Sequence, residues 1–119
     1  MDDDYLEIVL DLVERIPSGR AMTYGLVAEV VSEELVAAGG PARGGPRQVG
    51  HIMAKAGGGG PWWRVVNATG RAPAHLSTSA LAHWVAEGTP RTADGERIAL
   101  RQAIWFPPQD RTDDALAAR

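Results

Sequence analysis

Clusters of glycine and proline divide this chain into short segments, and this division limits what it can fold into. The 14 glycines and 8 prolines make up 22 of the 119 residues, with the densest clusters at 17–19, 39–46 and 57–61. Proline lacks an amide hydrogen and glycine favours turns, so each cluster ends the regular element before it. Because 45% of the residues are hydrophobic, the chain is too apolar to be disordered. We expect one compact domain over 1–106 and a polar, frayed tail over 107–119.

Apolar residues recur at helical spacing between these clusters. The segment 5–16 has acids in its first turn and Asp4 in position to cap it. Thr23 suits the N-cap of a second helix that extends to about Ala37, and Pro46 suits the first turn of a third. The glycine-rich connection between the second and third helices predicts a helix-turn-helix with a longer turn than usual. The apolar positions of the three helices are Leu6, Val9, Leu10, Val13 and Ile16, then Leu26, Val27, Val30 and Val31, then Val49, Ile52 and Met53.

The second half of the chain contains one further helical pattern. Residues 62–66 are too few for a helix and precede the turn 67–70, so they predict a loop or a very short strand. Ser77 is in position to cap a fourth helix, and Gly88 is in position to end it. The dipeptide Asp94-Gly95 predicts a tight turn after that helix.

Charge is distributed very unevenly along the chain. The formal net charge is −3, yet residues 1–34 hold nine acids and two bases, and no acid lies between Glu34 and Glu87. A window with positive charge alone is typical of a surface that binds an anion, most often phosphate. The alternative is that its cations are scattered over different faces and only solvate the surface. These cations are Arg43, Arg47, Lys55, Arg64 and Arg71.

The sequence excludes several kinds of chemistry. It contains no cysteine, which rules out disulfides, cysteine-ligated metal centres and cysteine nucleophiles. The three histidines lack carboxylates at metal-ligand spacing, and the glycine run 57–60 lacks the Lys-Ser/Thr pair of a phosphate-binding loop. No segment approaches the ~20 apolar residues of a membrane span, and the acidic start is unlike a secretory signal. We therefore expect a cytoplasmic protein with no metal, no other cofactor and no catalytic residue.

Three motifs carry a specific resemblance, at 22–28, 46–53 and 61–66. In this order they resemble the C-terminal domain of the O6-alkylguanine-DNA alkyltransferases, and the similarity extends over most of 5–106. That family has Pro-Cys-His-Arg-Val at its reactive site. This chain has Trp62 in the position of the reactive cysteine and Trp63 in the position of the activating histidine. Tryptophan in the cysteine position is typical of the alkyltransferase-like proteins, which resemble the repair enzymes but cannot accept an alkyl group.

The resemblance implies a fold and a set of DNA contacts. The fold is mainly α, a winged-helix-like helix-turn-helix DNA-binding domain of the alkyltransferase C-terminal type with short strand and loop segments. Its recognition helix lies in the minor groove, where Arg47 corresponds to an arginine that fills the gap left by an extruded nucleotide. Gly50 allows close approach to the DNA backbone, and Tyr24 helps to rotate the nucleotide out and then contacts the base. Lys55 and Arg64 complete the predicted DNA contacts. Without the resemblance, Arg47 is an ordinary exposed arginine and Tyr24 a core residue.

A lesion pocket is implied as well. Tyr24 and Trp62 would line it, and Trp62 would wall it without supplying a nucleophile. The main chain at Val65 would accept a hydrogen bond from the guanine amino group. Arg71 or His75, in the loop that closes over the lesion, would contact the alkylated base, and the sequence does not choose between them.

Three further residues have supporting roles in the same resemblance. We expect Trp63 to pack into the core rather than contact a base. Arg64 is expected to bond backbone carbonyls and so hold its loop. Glu87 corresponds to the acid of the family's activation relay, but an acid alone cannot restore alkyl transfer.

These expectations combine into one hypothesis with two alternatives. The chain would be a monomeric, non-enzymatic sensor that binds O6-alkylguanine in duplex DNA, is nucleoid-associated when bound, and flags the lesion for damage-recognition proteins of nucleotide excision repair. The first alternative is a helix-turn-helix transcriptional regulator that reads a defined sequence in the major groove, usually as a dimer. The second is a transferase or glycosylase that works without cysteine.

Overall fold

A computed structural model describes residues 3–55 and 59–108, and its elements are mainly helical. The described part contains, in chain order, α1 Asp3–Arg15, β1 Met22–Thr23, α2 Tyr24–Ala37, α3 Pro46–Ala54, β2 Val65–Val66, α4 Ser77–Glu87 and α5 Leu100–Ala103. Single 3-10 turns at Trp62–Arg64 and Ala74–Leu76 lead into β2 and α4. None of the helices in these ranges has the length and apolar character needed to cross a membrane.

The buried face of α1 differs in detail from the one predicted. Tyr5 and Leu12 are fully buried beside the expected Val9, Val13 and Ile16. Two other predicted members of this face, Leu6 and Leu10, lie at the edge of the core because the stripe is rotated along the helix. The helix also begins at Asp3, so Asp4 lies in its first turn and does not cap it.

The pair α2 and α3 forms the predicted helix-turn-helix. The Thr23 hydroxyl accepts from the backbone N–H of Leu26 at 3.1 Å, which confirms the predicted N-cap. The second helix ends at Ala37 and the third begins with Pro46, so the connection is long, as predicted. Val49, Ile52 and Met53 of α3 are buried as expected. This packing leaves the opposite side of α3 facing solvent.

A two-residue parallel pairing joins the two halves of the chain. Met22 in β1 pairs with Val65 in β2, and Thr23 pairs with Val66. The carboxyl ends of parallel strands meet at the same edge. Tyr24 and Asn67, which follow the two strands directly, are therefore brought to one place on the surface.

The fourth helix starts differently from the prediction and ends as predicted. Ser77 is its first residue and not its cap, because the preceding 3-10 turn runs directly into the helix and makes Leu76 the N-cap. Gly88 ends it in the left-handed conformation, with φ of +70°. The predicted turn at Asp94-Gly95 is confirmed by a bond of 2.7 Å from the Gly95 N–H to the Thr92 carbonyl.

Two predicted features fall largely outside the described residues. Of the predicted tail at 107–119, the structure describes 107 and 108, and the rest lies outside it. Of the glycine run 57–60, the structure describes 59 and 60.

Candidate nucleic-acid interface

The solvent side of α3 carries a cationic stripe. Arg47, His51 and Lys55 are all exposed, and their spacing of four residues places them along one side of the helix. Arg47 lies in the first turn, and Lys55 is the C-cap. This stripe lies on the side of α3 opposite the buried Val49. The burial of the apolar side therefore leaves the stripe exposed to solvent.

Tyr24 packs against α3 at Gly50. A Cβ at Gly50 would lie 3.3 Å from Cδ2 of the Tyr24 ring, which is tighter than an ordinary contact. The missing side chain therefore makes room for the tyrosine. Burial raises the pKa of the Tyr24 phenol, so its hydroxyl stays neutral and able to donate and accept at physiological pH.

A cleft of about 420 Å³ opens beside this contact. Tyr24 lies on one side of it, and residues 71–74 with Ser77 form another part of its wall. The remaining lining comprises the Trp84 indole, the Asn67 amide and two opposite charges, Arg71 and Glu96. The volume is in the range of small-ligand sites, and the Tyr24 ring together with the hydrogen-bonding groups suits a planar heterocycle.

The loop that carries Arg71 is held by Asn67. The Asn67 side-chain oxygen accepts from the Thr69 backbone N–H at 3.0 Å, the Thr69 hydroxyl at 2.7 Å and the Arg71 backbone N–H at 3.0 Å. The Gly70 carbonyl also accepts from the Ile98 N–H at 2.9 Å. These bonds fix the backbone at Arg71, while its guanidinium remains half exposed at 3.7 Å from Glu96.

Substituting Gly70 with alanine is expected to loosen this loop. Gly70 has φ of +93°, and a Cβ there would lie 2.4 Å from the Ile98 carbonyl oxygen, a backbone atom that cannot move aside cheaply. We expect Gly70→Ala to cost about 2–4 kcal/mol, as backbone strain and steric conflict combine. Gly88→Ala is the matched control, since Gly88 has φ of +70° but open space around it, and about 1 kcal/mol is expected there. Urea denaturation measures both, and equal costs would contradict the close packing at Gly70.

The structure distinguishes the two residues that the sequence left as alternatives. Arg71 lines the cleft. The His75 side chain is not among the described lining residues and lies with Nε2 2.8 Å from the carbonyl oxygen of Ala54. Since a carbonyl accepts, the His75 ring donates to the last residue of α3.

Trp62 and Val65, both predicted at the pocket, are buried. Trp62 is 7% exposed and packs edge-on against Trp63 and His83, with ring centroids 5.7 and 5.9 Å away. It is not part of the described cleft lining, where the indole belongs to Trp84 instead. Val65 is fully buried in β2. The cleft therefore lacks the predicted Trp62 wall, because the Trp62 indole packs against the Trp63 and His83 rings instead.

Glu87 accepts hydrogen bonds from four donor groups. The Trp63 indole N–H donates to it at 3.0 Å, the Gly19 backbone N–H donates at 3.1 Å, and Arg64 donates through Nε and Nη2. Burial alone raises the pKa of Glu87, but the bonds from Arg64, Gly19 and Trp63 outweigh it and hold the pKa below its usual value. The carboxylate thus stays charged and fully engaged, without a free base function.

Arg64 belongs to this cluster rather than to an exposed surface. Its side chain is 17% exposed, and Nη1 donates to the Ile16 carbonyl at 2.8 Å. It therefore bonds a main-chain carbonyl, as expected, but one at the end of α1 and not in its own loop. Because Arg64 is mostly buried and each of its three nitrogens bonds Glu87 or Ile16, it is not placed to contact phosphate, in contrast to the predicted role.

Several cleft residues were not predicted from the sequence. Trp84 reads as a core residue of an amphipathic helix, and its indole N–H does donate to the Trp63 carbonyl at 2.7 Å. Asn67 was recognised as part of a turn without a role in the site. No local sequence pattern marks Glu96 or Ser77 as a cleft residue, because only the tertiary fold brings them close to Tyr24. Within the ranges 3–55 and 59–108 no group of three or more His, Asp or Glu side chains is arranged to hold a metal.

Comparisons with known proteins identify the family of this chain and then its type within the family. The family model for the 6-O-methylguanine DNA methyltransferase DNA-binding domain matches residues 4–87, so the chain belongs to that family. Its fold is similar to S. pombe Atl1 in complex with damaged DNA containing O6-carboxymethylguanine, with TM-score 0.67, 28% identity, and 90% of this chain and 99% of that chain covered. A structure of S. pombe ATL in complex with DNA gives TM-score 0.65, 28% identity, and coverage of 90% and 98%. No curated protein matches in a sequence search.

These matches confirm two of the predictions. The fold is the predicted alkyltransferase DNA-binding helix-turn-helix, and within the family the chain is of the alkyltransferase-like type.

Proposed function

We propose that this protein binds O6-alkylguanine in duplex DNA, extrudes the base into the cleft beside Tyr24, and holds it there without reacting. The observation that carries the proposal is the position of Tyr24, which contacts α3 at Gly50 and also lines the cleft. A base that leaves the duplex next to α3 would meet Tyr24 first and the cleft immediately after it. The similar S. pombe Atl1 is bound to DNA that carries an O6-alkylated guanine, which supports the same ligand class here.

The cationic stripe of α3 would face the DNA. Arg47 and Lys55 provide positive charge at the two ends of the stripe, with His51 between them, and the minor groove attracts arginine and lysine. Arg47, at the N-terminal end, would enter the base stack, where a planar guanidinium can stack and bond the orphaned base. Lys55, at the C-terminal end of α3, would contact phosphate and contribute affinity without lesion preference.

The cleft supplies contacts for an alkylated purine. Tyr24 offers a ring face, and stacking on such a face is worth about 1–3 kcal/mol per base. Trp84 belongs to the apolar wall behind it but is only 2% exposed. Arg71 would approach the base as a cation, held in position by Asn67. We retain Trp62 as a proposed contact of the alkyl group at the edge it exposes, and the Val65 main chain as a proposed acceptor from the guanine amino group.

A titration with matched duplexes tests the proposal. Fluorescence anisotropy at fixed salt would compare duplexes that differ only by guanine or O6-methylguanine. We expect the lesion duplex to bind at least about 10-fold more tightly, the equivalent of one stacked base. Equal affinity would contradict lesion recognition, and preference for one undamaged sequence would favour a transcriptional regulator.

Absence of alkyl transfer follows from the residues at the former reactive site. Trp62 has no nucleophilic group, and Trp63 uses its N–H on Glu87 and cannot act as a base. Intact-mass spectrometry after incubation with lesion DNA would detect a transferred alkyl group or a released base. We expect neither. The bound lesion would then persist as the signal to nucleotide excision repair, with the protein acting as a monomer.

A further inference from the structure

Both sides of the cleft are attached to the same helix. On one side, Tyr24 packs on Gly50 in the middle of α3. On the other, His75 donates to the carbonyl of Ala54, one turn further along α3. The carbonyls in the last turn of a helix have no partner within the helix, and His75 supplies one for Ala54. The helix that would enter the groove therefore connects the two walls.

We propose that His75 is a positioning residue that couples the position of α3 to the loop 71–76 and thereby sets how the cleft closes on a base. This inference rests on the proposed function, in which α3 enters the DNA groove. At its other end the loop is fixed by Asn67 and by the bond from the Ile98 N–H to Gly70. His75 is the second attachment, on the 3-10 turn that leads into α4. Movement of α3 in the groove is transmitted through this bond to the wall that carries Arg71.

This role differs from direct contact with the lesion. The His75 ring is bonded to α3 and is not among the described residues that line the cleft. An imidazole committed to Ala54 cannot stack on the base at the same time. His75 therefore acts on the base through the loop, and Arg71 makes the contact.

Hydrogen exchange on the free protein tests the attachment without DNA. In His75→Ala, amides of 71–76 and of the last turn of α3 should exchange about 3- to 10-fold faster, as expected for loss of one hydrogen bond. His75→Gln should restore part of the protection, since its amide nitrogen can replace Nε2 as donor. His51→Ala removes an exposed histidine from the same helix and should leave exchange in the loop unchanged. Unchanged exchange in His75→Ala would overturn the proposal.

Binding measurements test the coupling itself. His75→Ala should lower the preference for O6-methylguanine over guanine by about 3- to 10-fold and leave affinity for the guanine duplex within about 2-fold of wild type. A wild-type preference that survives in His75→Ala would contradict the coupling while leaving the proposed function intact. A preference lost without faster exchange would mean that His75 contacts the lesion directly, which also overturns it. No preference in the wild type would contradict the proposed function itself.

Discussion

Glu87→Ala is expected to lower the free energy of unfolding by about 2–4 kcal/mol, somewhat less than the cost of leaving one partner of a fully buried ion pair uncompensated. Arg64 and Glu87 have side chains 17% and 12% exposed, and the substitution also removes the acceptor of the Trp63 indole and the Gly19 N–H. Urea denaturation at neutral pH measures the loss. Glu34→Ala is the matched control, because the Arg15–Glu34 pair is 50% and 43% exposed and should contribute less than about 1 kcal/mol.

The same carboxylate predicts a pH dependence. Hydrogen bonds hold the folded-state pKa of Glu87 below its usual value of 4.5. The stability that a depressed pKa provides is fully present at a pH above the pKa of the unfolded state. It is lost as the pH falls through the pKa of the folded state. The difference in unfolding free energy between wild type and Glu87→Gln should therefore shrink as the pH falls below about 4.5. A difference in unfolding free energy that stays constant as the pH falls below 4.5 would contradict this account of the cluster. So would a loss of stability in Glu87→Ala no larger than that in Glu34→Ala.

The second large effect is expected at the start of α3. Arg47→Ala should weaken binding to the O6-methylguanine duplex by about 1–3 kcal/mol, or 5- to 150-fold, and remove most of the lesion preference. The reason is that Arg47 would fill the gap left by the extruded base, an interaction that exists only when a base has left the stack. Anisotropy titrations with both duplexes measure the change.

Lys55→Ala is the control for Arg47→Ala because Lys55 is an exposed cation on the same stripe. It should weaken both duplexes alike and reduce the salt slope by about 0.9, the contribution of one phosphate contact. If Arg47→Ala also weakened both duplexes alike, Arg47 would be one more phosphate contact and not the residue that occupies the base stack.

Local sequence signals predicted the helical scaffold well. The Thr23 cap, the proline that opens α3 and the glycine that ends α4 were all found as predicted, because each depends on a residue and its near neighbours. The boundaries at Asp4 and Ser77 were wrong by about one residue. At Ser77 the preceding 3-10 turn runs directly into the helix.

The site could be predicted only where its residues carried a motif. Tyr24 lies in such a motif, whereas Arg71 was predicted only as an alternative to His75; Tyr24 and Arg71 both line the cleft. Trp84 and Glu96 were missed because their place depends on tertiary contacts. The α4 helix packs against the 3-10 turn at Trp62–Arg64, and the segment after it bonds to Gly70. Arg64 was counted as a free cation because the acid-free window hid its partner, which lies 23 residues further along the chain. Charge patterns report composition, and pairing across the fold decides which charges remain available.

A crystal structure of this protein with a duplex that contains O6-methylguanine would test the central claim most directly. The account predicts the alkylated base in the cleft beside Tyr24, Arg47 in the base stack, α3 in the minor groove, and no covalent bond between protein and DNA. A base that remains stacked in the duplex, or α3 in the major groove with the cleft unoccupied, would contradict it.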